Sequence, residues 1–319
     1  MTSISTRYGV LRGVVSAAYY EDGSLKDCVL GEKNALTLPL AQLVPQYGEE
    51  HVRRKHAKSA SFYRTGALKT VLLEEMQEVM TPMGEFPAEL ITLYESGEVN
   101  RVFPLNGKLS AYWSEEDEAK LAVPFQFEFS FGAFCAKIVC LHFYQSGALK
   151  SLTLFPGETV SLTTPIGEVE VKTGFSLYES GALKSVEPAQ PVVVMTDIGP
   201  LAAFDCNATG IHADSNSLRF TPQGGLHGLV SSSDKIAAVN ENGRMSVFAP
   251  IRRPLPDGEG VATIALDIVF ENGCVTITDD QPHRFDLSAA KVSSLPFMRE
   301  GAQACTPSDC ASCTSRCGM

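Results

Sequence analysis

The chain has 319 residues, with 44% apolar residues, 20% charged residues and a net charge of −11. This composition excludes intrinsic disorder, and the acidic balance argues against non-specific binding to nucleic acid or anionic membranes. No apolar run approaches the ~18 residues of a membrane-spanning helix, and no signal peptide is recognisable at the start. We therefore expect a cytoplasmic protein without membrane insertion.

A short motif recurs along the chain: an aromatic residue, two polar residues, glycine, any residue, then an aliphatic residue and lysine. The clear copies are residues 20–26 (YEDGSLK), 63–69 (YRTGALK), 94–100 (YESGEVN), 144–150 (YQSGALK) and 178–184 (YESGALK). Weaker copies stand at 240–246 (NENGRMS) and 270–275 (FENGCV). Glycine readily adopts the positive φ that bulged and primed hairpin turns require. Each copy therefore predicts a β-hairpin turn.

A second turn motif, Thr-Pro-x-Gly, alternates with the first. It stands at 81–85 (TPMGE), 164–168 (TPIGE) and 221–225 (TPQGG), with looser relatives at 45–49 and 256–259. Proline fixes φ near the value that the second position of a turn needs, and glycine follows where φ is often positive. The two motifs together predict modules of strand, turn, strand, turn and strand.

The strands that lead into the first motif alternate between apolar and polar residues. In residues 137–144, Leu141 and Phe143 fall on one face, and His142 and Tyr144 fall on the other. This period of two is typical of a half-buried antiparallel strand, so we expect His142 on the solvent face. Helix signals are scarce, but Ser114 followed three residues later by Asp117 predicts one capped helical turn.

These motifs resemble the MORN-type repeats, in the degenerate bacterial variant whose units read Tyr-x-x-Gly-x-Leu-Lys. The resemblance covers residues 20–270 and weakens after residue 192. The spacing is longer than the ~23 residues of a MORN unit, and the Pro-x-Gly-Glu turn is an addition. The resemblance implies an elongated antiparallel meander of hairpins that serves as a scaffold or interaction module.

We predict an all-β fold in which an antiparallel hairpin-repeat meander or solenoid covers residues 1–295, followed by a Cys-rich tail at 296–319. The repeats are clear over 20–190 and degraded over 191–295. The alternative is a six-bladed β-propeller, since about six modules of about 40 residues fit such a ring. About three strands per module, rather than the four of a blade, favour the meander.

The tail contains four cysteines in the last 15 residues, Cys305, Cys310, Cys313 and Cys317. Their thiolates would complete the ligand set of a structural zinc ion or an iron–sulfur cluster. Two disulfides or a reduced tail without metal are the alternatives, and a reducing cytosol disfavours the disulfides. We interpret the five other cysteines as small hydrophobic residues.

Three further groups of residues are candidates for binding or chemistry. The motif tyrosines would align as a stripe if the modules stack, forming either a partner-binding surface or cross-strand packing: Tyr63, Tyr94, Tyr144 and Tyr178. Residues 51–56 (HVRRKH) form a basic island that could bind a phosphate or an acidic partner segment, or lie in solvent beside Glu49 and Glu50. The polar stretch 205–217 holds Asp205, His212 and Asp214, as a metal or acid/base site or as an ordinary loop.

No common catalytic or nucleotide-binding motif occurs in the sequence. We therefore expect a non-enzymatic β-repeat protein that binds a protein partner and not nucleic acid. The alternative is a metal-binding or redox-linked protein that acts through the Cys-rich tail. An enzyme hidden in the degraded region 192–250 is a third hypothesis.

Overall fold

The computed structural model describes residues 2–50, 52–54, 57–107, 109–208, 213–254 and 261–295, which form 28 strands and one helix. In chain order, the elements of the first half are β1 (Thr2–Thr6), β2 (Gly9–Tyr19), β3 (Leu25–Leu30), β4 (Leu36–Leu38), β5 (Ala41–Leu43), β6 (Ala60–Phe62), β7 (Leu68–Thr81), β8 (Gly84–Leu93), β9 (Val99–Phe103), α1 (Glu115–Leu121), β10 (Phe125–Phe129), β11 (Gly132–Ala136), β12 (Ile138–Phe143), β13 (Leu149–Leu154) and β14 (Val160–Thr164). Those of the second half are β15 (Gly167–Leu177), β16 (Leu183–Pro188), β17 (Val192–Thr196), β18 (Gly199–Ala203), β19 (Leu218–Phe220), β20 (Leu226–Ser231), β21 (Lys235–Val239), β22 (Met245–Phe248), β23 (Ile251–Pro254), β24 (Val261–Ile264), β25 (Leu266–Glu271), β26 (Cys274–Thr278), β27 (Pro282–Asp286) and β28 (Lys291–Leu295).

Seventeen of the strands form one continuous antiparallel sheet, the main sheet. Its strands neighbour one another in the order β1, β2, β3, β6, β7, β8, β9, β12, β13, β15, β16, β19, β20, β25, β26 and β27, and β14 pairs with the first half of β15. This order follows the chain, so the predicted all-β meander is confirmed. A propeller would instead divide its strands among separate small sheets.

The clear copies of the tyrosine motif fold as predicted, into hairpin turns that end in a bulge. The Tyr63 N–H donates to the Ala67 carbonyl at 2.7 Å, and the Gly66 N–H donates to the Tyr63 carbonyl at 2.9 Å. Gly66 has a φ of +78°, which L side chains rarely adopt. The same two backbone bonds recur at the other four motif tyrosines: Tyr20, Tyr94, Tyr144 and Tyr178.

The second turn motif depends on its threonine rather than on proline. The Thr81 hydroxyl donates to the Gly84 carbonyl at 2.8 Å and accepts from the Met83 N–H at 3.1 Å. The same pair of bonds closes the hairpin after Thr164, and also two hairpins that lack proline and that the sequence analysis missed, after Thr6 and Thr196. The side chain therefore closes this turn, and proline is optional.

Two turns differ from the sequence-based assignment. Residues 221–225 fold like the tyrosine motif, because the Thr221 N–H donates to the Gly225 carbonyl at 2.7 Å and the Gly224 N–H donates to the Thr221 carbonyl at 2.9 Å. Residues 270–275 instead form a two-residue turn, since Asn272 and Gly273 both have positive φ, +52° and +71°. Positive φ at both central positions is the geometry of a tight type I′ hairpin.

Cross-strand pairing arranges the middle of the main sheet into two rows on opposite faces. The core row is buried along its whole length and consists of Cys28, Ala60, Val71, Ile91, Val102, Leu141, Leu152, Phe175, Val186, Leu218, Leu229, Ile268 and Ile277. In the first ten of these strands, a residue directly before or after the core-row residue lies on the other face. These residues form the polar row: Asp27, Ser61, Thr70, Thr92, Arg101, His142, Ser151, Ser176, Ser185 and Arg219.

Small hairpins cover the core row and complete the hydrophobic core. The β10–β11 hairpin places the Phe129 and Phe134 rings 5.4 and 6.2 Å from the Phe175 ring, in edge-to-face contacts. Buried side chains of β4–β5, β17–β18 and the three-stranded sheet β22–β21–β28 belong to the same core cluster. Helix α1 begins at the predicted Ser114 cap, and no described helix is long and apolar enough to cross a bilayer.

Candidate functional site

The motif tyrosines connect each repeat to the next one. The Tyr63 hydroxyl donates to the Leu93 carbonyl at 2.9 Å, and Leu93 directly precedes the next motif tyrosine. The same bond recurs, at 2.8 to 2.9 Å, from Tyr20 to Phe62, from Tyr94 to Phe143, from Tyr144 to Leu177 and from Tyr178 to Phe220. A hydroxyl held in this way positions the neighbouring hairpin, because it satisfies a carbonyl of the strand beside it.

The motif lysines lie over the tyrosine rings of their own turns. The Lys69 ammonium is 5.4 Å from the Tyr63 ring centroid, and three further pairs repeat the contact at 5.5 to 5.7 Å. Burial raises the pKa of the Tyr63, Tyr94, Tyr144 and Tyr178 hydroxyls. The predicted stripe is therefore a row of half-buried tyrosines that bond within the protein, and its role in partner binding stays a prediction.

Asp214 is the centre of a polar cluster on the polar row. Its Oδ1 accepts a hydrogen bond from the Ser151 hydroxyl at 2.6 Å and lies 2.8 Å from Nδ1 of His142, while Oδ2 pairs with the Arg101 guanidinium. Burial opposes ionisation of this carboxyl. The hydrogen bonds from His142, Ser151 and Arg101 outweigh burial and hold the pKa of Asp214 well below its usual range. Asp214 is therefore a carboxylate at neutral pH.

Asp214 belongs to the connection between β18 and β19, and residues 213–217 of this connection cross the polar row. Beyond it, the Asn216 amide donates to the Ser185 hydroxyl at 2.7 Å, and the Ser217 hydroxyl donates to the Glu187 carboxyl at 2.8 Å. Residues 213–217, the crossing segment, thus cover the polar face from β12 to β16. The prediction that His142 lies on the solvent face is wrong: its exposed fraction is 6%, because the crossing segment covers it.

The Asp214 cluster is arranged to hold the crossing segment rather than to activate a nucleophile. The Ser151 hydroxyl donates to Asp214 and not to His142, so the imidazole is not placed to remove its proton. Burial raises the pKa of the neighbouring Cys140 thiol to about 12, which keeps it protonated and unreactive. Within the described ranges, no group of three His, Cys, Asp or Glu side chains is placed to hold a metal ion.

The basic island contributes to a buried ion network. The Arg53 guanidinium bonds to the Glu89 carboxylate at 2.7 and 2.9 Å and to the Glu118 carboxylate at 2.7 and 2.8 Å. The Trp113 indole N–H donates to Glu118 at 2.7 Å, and Arg54 lies 3.0 Å from Glu89. The prediction that this segment is solvated is therefore wrong at both arginines, whose carboxylate partners lie far away along the chain.

A groove of about 400 Å³ lies between β22 and β27. Its floor includes Phe248, whose ring centroid is 4.9 Å from that of His283 and 5.8 Å from that of Phe285. Arg244 and Arg284 also line it, and both are exposed. Arg244 makes no side-chain hydrogen bond or ion pair with any residue that the structure describes. No sequence motif indicated this groove, because its two walls are separate in the chain.

Several candidate residues lie outside the described residues. They are Cys305, Cys310, Cys313 and Cys317 of the tail, His51 and His56 of the basic island, and His212 of the polar stretch. The zinc or iron–sulfur site therefore stays a prediction. Comparison of the chain with protein-family models, with curated proteins and with solved structures finds no significant match, so the resemblance to MORN-type repeats likewise stays a prediction.

Proposed function

We propose that this chain is a non-enzymatic, cytoplasmic β-repeat protein that binds a protein partner. We further propose that the groove between β22 and β27 takes an acidic segment of that partner. The observation that carries the proposal is the pair of exposed arginines, Arg244 and Arg284, beside the aromatic floor of Phe248 and Phe285. Arginine and aromatic side chains are enriched where protein interfaces gain most of their binding energy.

The charge of the chain supports this choice of ligand. The protein has a net charge of −11, so most of its surface repels an acidic peptide. The groove places Arg244, Arg284 and His283 together, and Arg244 has no described carboxylate partner that a ligand would need to displace. An acidic segment with apolar side chains would meet both the arginines and the phenylalanine rings.

The buried polar clusters support a role other than catalysis. Asp214 and His142 hold the crossing segment, and Arg53 holds Glu89 and Glu118. Each of these groups is engaged by another side chain of the protein. The resemblance to MORN-type repeats, which implies a scaffold or interaction module, agrees with this role by analogy.

A binding titration with a synthetic peptide tests the proposal. A fluorescent peptide of alternating Glu and Tyr should bind, with an affinity that falls as salt rises, whereas a peptide of alternating Gln and Tyr should bind at least about tenfold more weakly. The double variant Arg244→Glu, Arg284→Glu should lose the acidic peptide. The control double variant Arg12→Glu, Lys33→Glu, an equal charge change at two exposed sites outside the groove, should keep it. Equal binding by both variants would contradict the groove as the site.

The Cys-rich tail supports a second candidate function, in metal binding or redox chemistry. Its support is the spacing of Cys305, Cys310, Cys313 and Cys317, which supplies four thiolates in a short segment. Anaerobic purification followed by elemental analysis and a visible spectrum tests it. The candidate predicts about one zinc ion or one cluster per chain, lost when Cys310 and Cys313 are replaced by Ser.

A further inference from the structure

Three strands of the main sheet occupy the same place in the repeat: β2, β8 and β15 each start at the glycine of a Thr-x-x-Gly turn and end directly before a motif tyrosine. On β8 and β15, the edge that faces away from the following strand is paired in the part of the strand that leads to the motif tyrosine. Residues 70–72 of β7 pair with residues 90–92 of β8, and residues 151–153 of β13 pair with residues 174–176 of β15. These pairings define what a complete repeat contains.

The corresponding edge of β2 has no partner among the described strands. Strand β1 pairs with β2 only from Gly9 to Val14, and residues 16–19 of β2 pair only with β3 on the other side. A strand edge of this kind presents unpaired N–H and C=O groups and is a template for another strand. Among the described strands, none takes the place on β2 that β7 and β13 take on β8 and β15.

The side chains of β2 are also more exposed than their counterparts in the sister repeats. Ala17 stands where Ile91 and Phe175 stand in the sister repeats, but it is exposed whereas both of those are fully buried. Tyr19 stands where Leu93 stands, and it is 53% exposed whereas Leu93 is 1% exposed. Val15 is 63% exposed. The open edge thus carries apolar side chains that a neighbouring strand would cover.

The two ends of the main sheet differ in how their edges are protected. The last strand, β27, contains Pro282, Arg284 and Asp286, the residue types that block edge-to-edge pairing. The open edge of β2 has neither charge nor proline from Val14 to Tyr20. An incoming strand is therefore opposed at β27 and unopposed at β2.

We propose that the occupant of this edge is a second copy of the chain, paired antiparallel through β2 about a two-fold axis. With Ala17 opposite Ala17, Ser16 lies opposite Ala18 and Val15 lies opposite Tyr19 of the second copy. The segment is self-complementary in this register. Small side chains meet at the axis, and β-branched and aromatic side chains pair on either side of it, which is a favourable cross-strand combination.

The symmetry favours a closed dimer over a filament. Pairing β2 of one copy with β27 of another would be head-to-tail, and it would leave a free edge at each end for further addition. Pro282 and the charges of β27 oppose that arrangement. Pairing β2 with β2 uses the same edge on both copies and stops at two. A contact of about five residues is small for an interface, so the dimer forms reversibly.

Sedimentation equilibrium of the full chain tests this proposal. The average mass of the wild type should rise with concentration from 34.4 kDa toward twice that value. Ala17→Lys and Ala17→Glu should each stay monomeric, because each places like charges opposite one another at the axis. An equimolar mixture of the two variants should restore the dimer, since Lys then lies opposite Glu. Because Ala17 is exposed in the monomer, both variants should keep the melting temperature that the wild type has at concentrations where it is monomeric.

The control is Val193→Lys, at a position 68% exposed on β17, which should dimerise like the wild type. A wild type that stays at the monomer mass up to its solubility limit overturns the proposal. So does a dimer that persists in both Ala17 variants, or a mixture of the two that stays monomeric. The test does not depend on the groove between β22 and β27, since neither Ala17 nor Val193 lines it.

Discussion

The clear repeats of residues 20–190 and the Thr221 and Asn240 turns of the degraded region use the same turn backbone but different side-chain contacts. In the first region the motif tyrosine bonds to the next repeat, as Tyr144 does to Leu177. In the second, Thr221 and Asn240 take the place of tyrosine and bond inside their own turns, to Gly225 and to Arg244. Glycine therefore determines the turn, and tyrosine determines how neighbouring repeats are held together.

The two regions also differ in whether the basic side chains beside their turns have partners within the protein. The clear repeats engage their lysines over their tyrosine rings, as with Lys150 over Tyr144. In the degraded region the residue beside the Asn240 turn is Arg244, which has no described partner and faces the groove. Loss of the tyrosine contact thus accompanies a side chain that is available for binding.

Removing the Asp214 carboxylate, which connects the two regions, should cause the largest loss of stability. Asp214→Ala removes the carboxylate that joins the crossing segment to Arg101 and His142 and leaves the half-buried arginine unpaired. We expect a loss of about 3 kcal/mol in the free energy of unfolding, the lower end for a broken buried pair because Asp214 is partly exposed. Chemical denaturation measures it, with exposed Asp197→Ala as the control. A loss no larger than that of the control would contradict a joining role.

A matched pair of glycine variants tests whether the two regions share one turn. Gly181 and Gly243 have φ of +83° and +74°, and neither would bring a Cβ within 4 Å of another atom. Valine at either position is strained only by its backbone, so Gly181→Val and Gly243→Val should each cost about 2 kcal/mol. Thermal melts compare them, with the exposed Ser180→Val as a control. Unequal losses would show that the turns differ.

Removing a tyrosine hydroxyl, which only the clear repeats use as a link, should have a smaller effect on stability. Tyr144→Phe removes the bond to the Leu177 carbonyl and should cost about 1 kcal/mol. Tyr112→Phe is the control, because Tyr112 is 84% exposed and does not belong to the repeat motif. Equal melting temperatures for the two variants would remove the hydroxyl as a link between repeats.

The smallest effect is a pH dependence that Asp214 should impose. Its pKa in the folded protein lies below the ordinary value of 3.8, so its contribution to stability is present above that pH and is lost as pH falls toward the folded pKa. The stability gap between wild type and Asp214→Asn should therefore narrow as pH falls below about 4. Urea denaturation at several pH values measures the gap, and a constant gap would contradict the assigned shift.

The parts of the fold that depend on local backbone geometry could be predicted from the sequence. Gly66 and Gly181 marked their turns because positive φ is a property of single residues. The environment of His142 could not be predicted, because the segment that covers it lies more than 70 residues downstream and pairs with it through Asp214. Nor could the partners of Arg53, since Glu118 and Glu89 lie 65 and 36 residues away along the chain.

The hydrogen bond of each motif tyrosine extends only to the next repeat, which affects how the number of repeats can change. Because Tyr63 bonds only to the carbonyl before Tyr94, and Tyr94 only to the one before Tyr144, the stabilisation is a nearest-neighbour quantity. Deleting or duplicating one whole unit would leave every remaining tyrosine facing an equivalent acceptor. The tyrosine contacts by themselves therefore permit the number of units to vary, whereas the contacts of Asp214 and Arg53, which join particular units, do not.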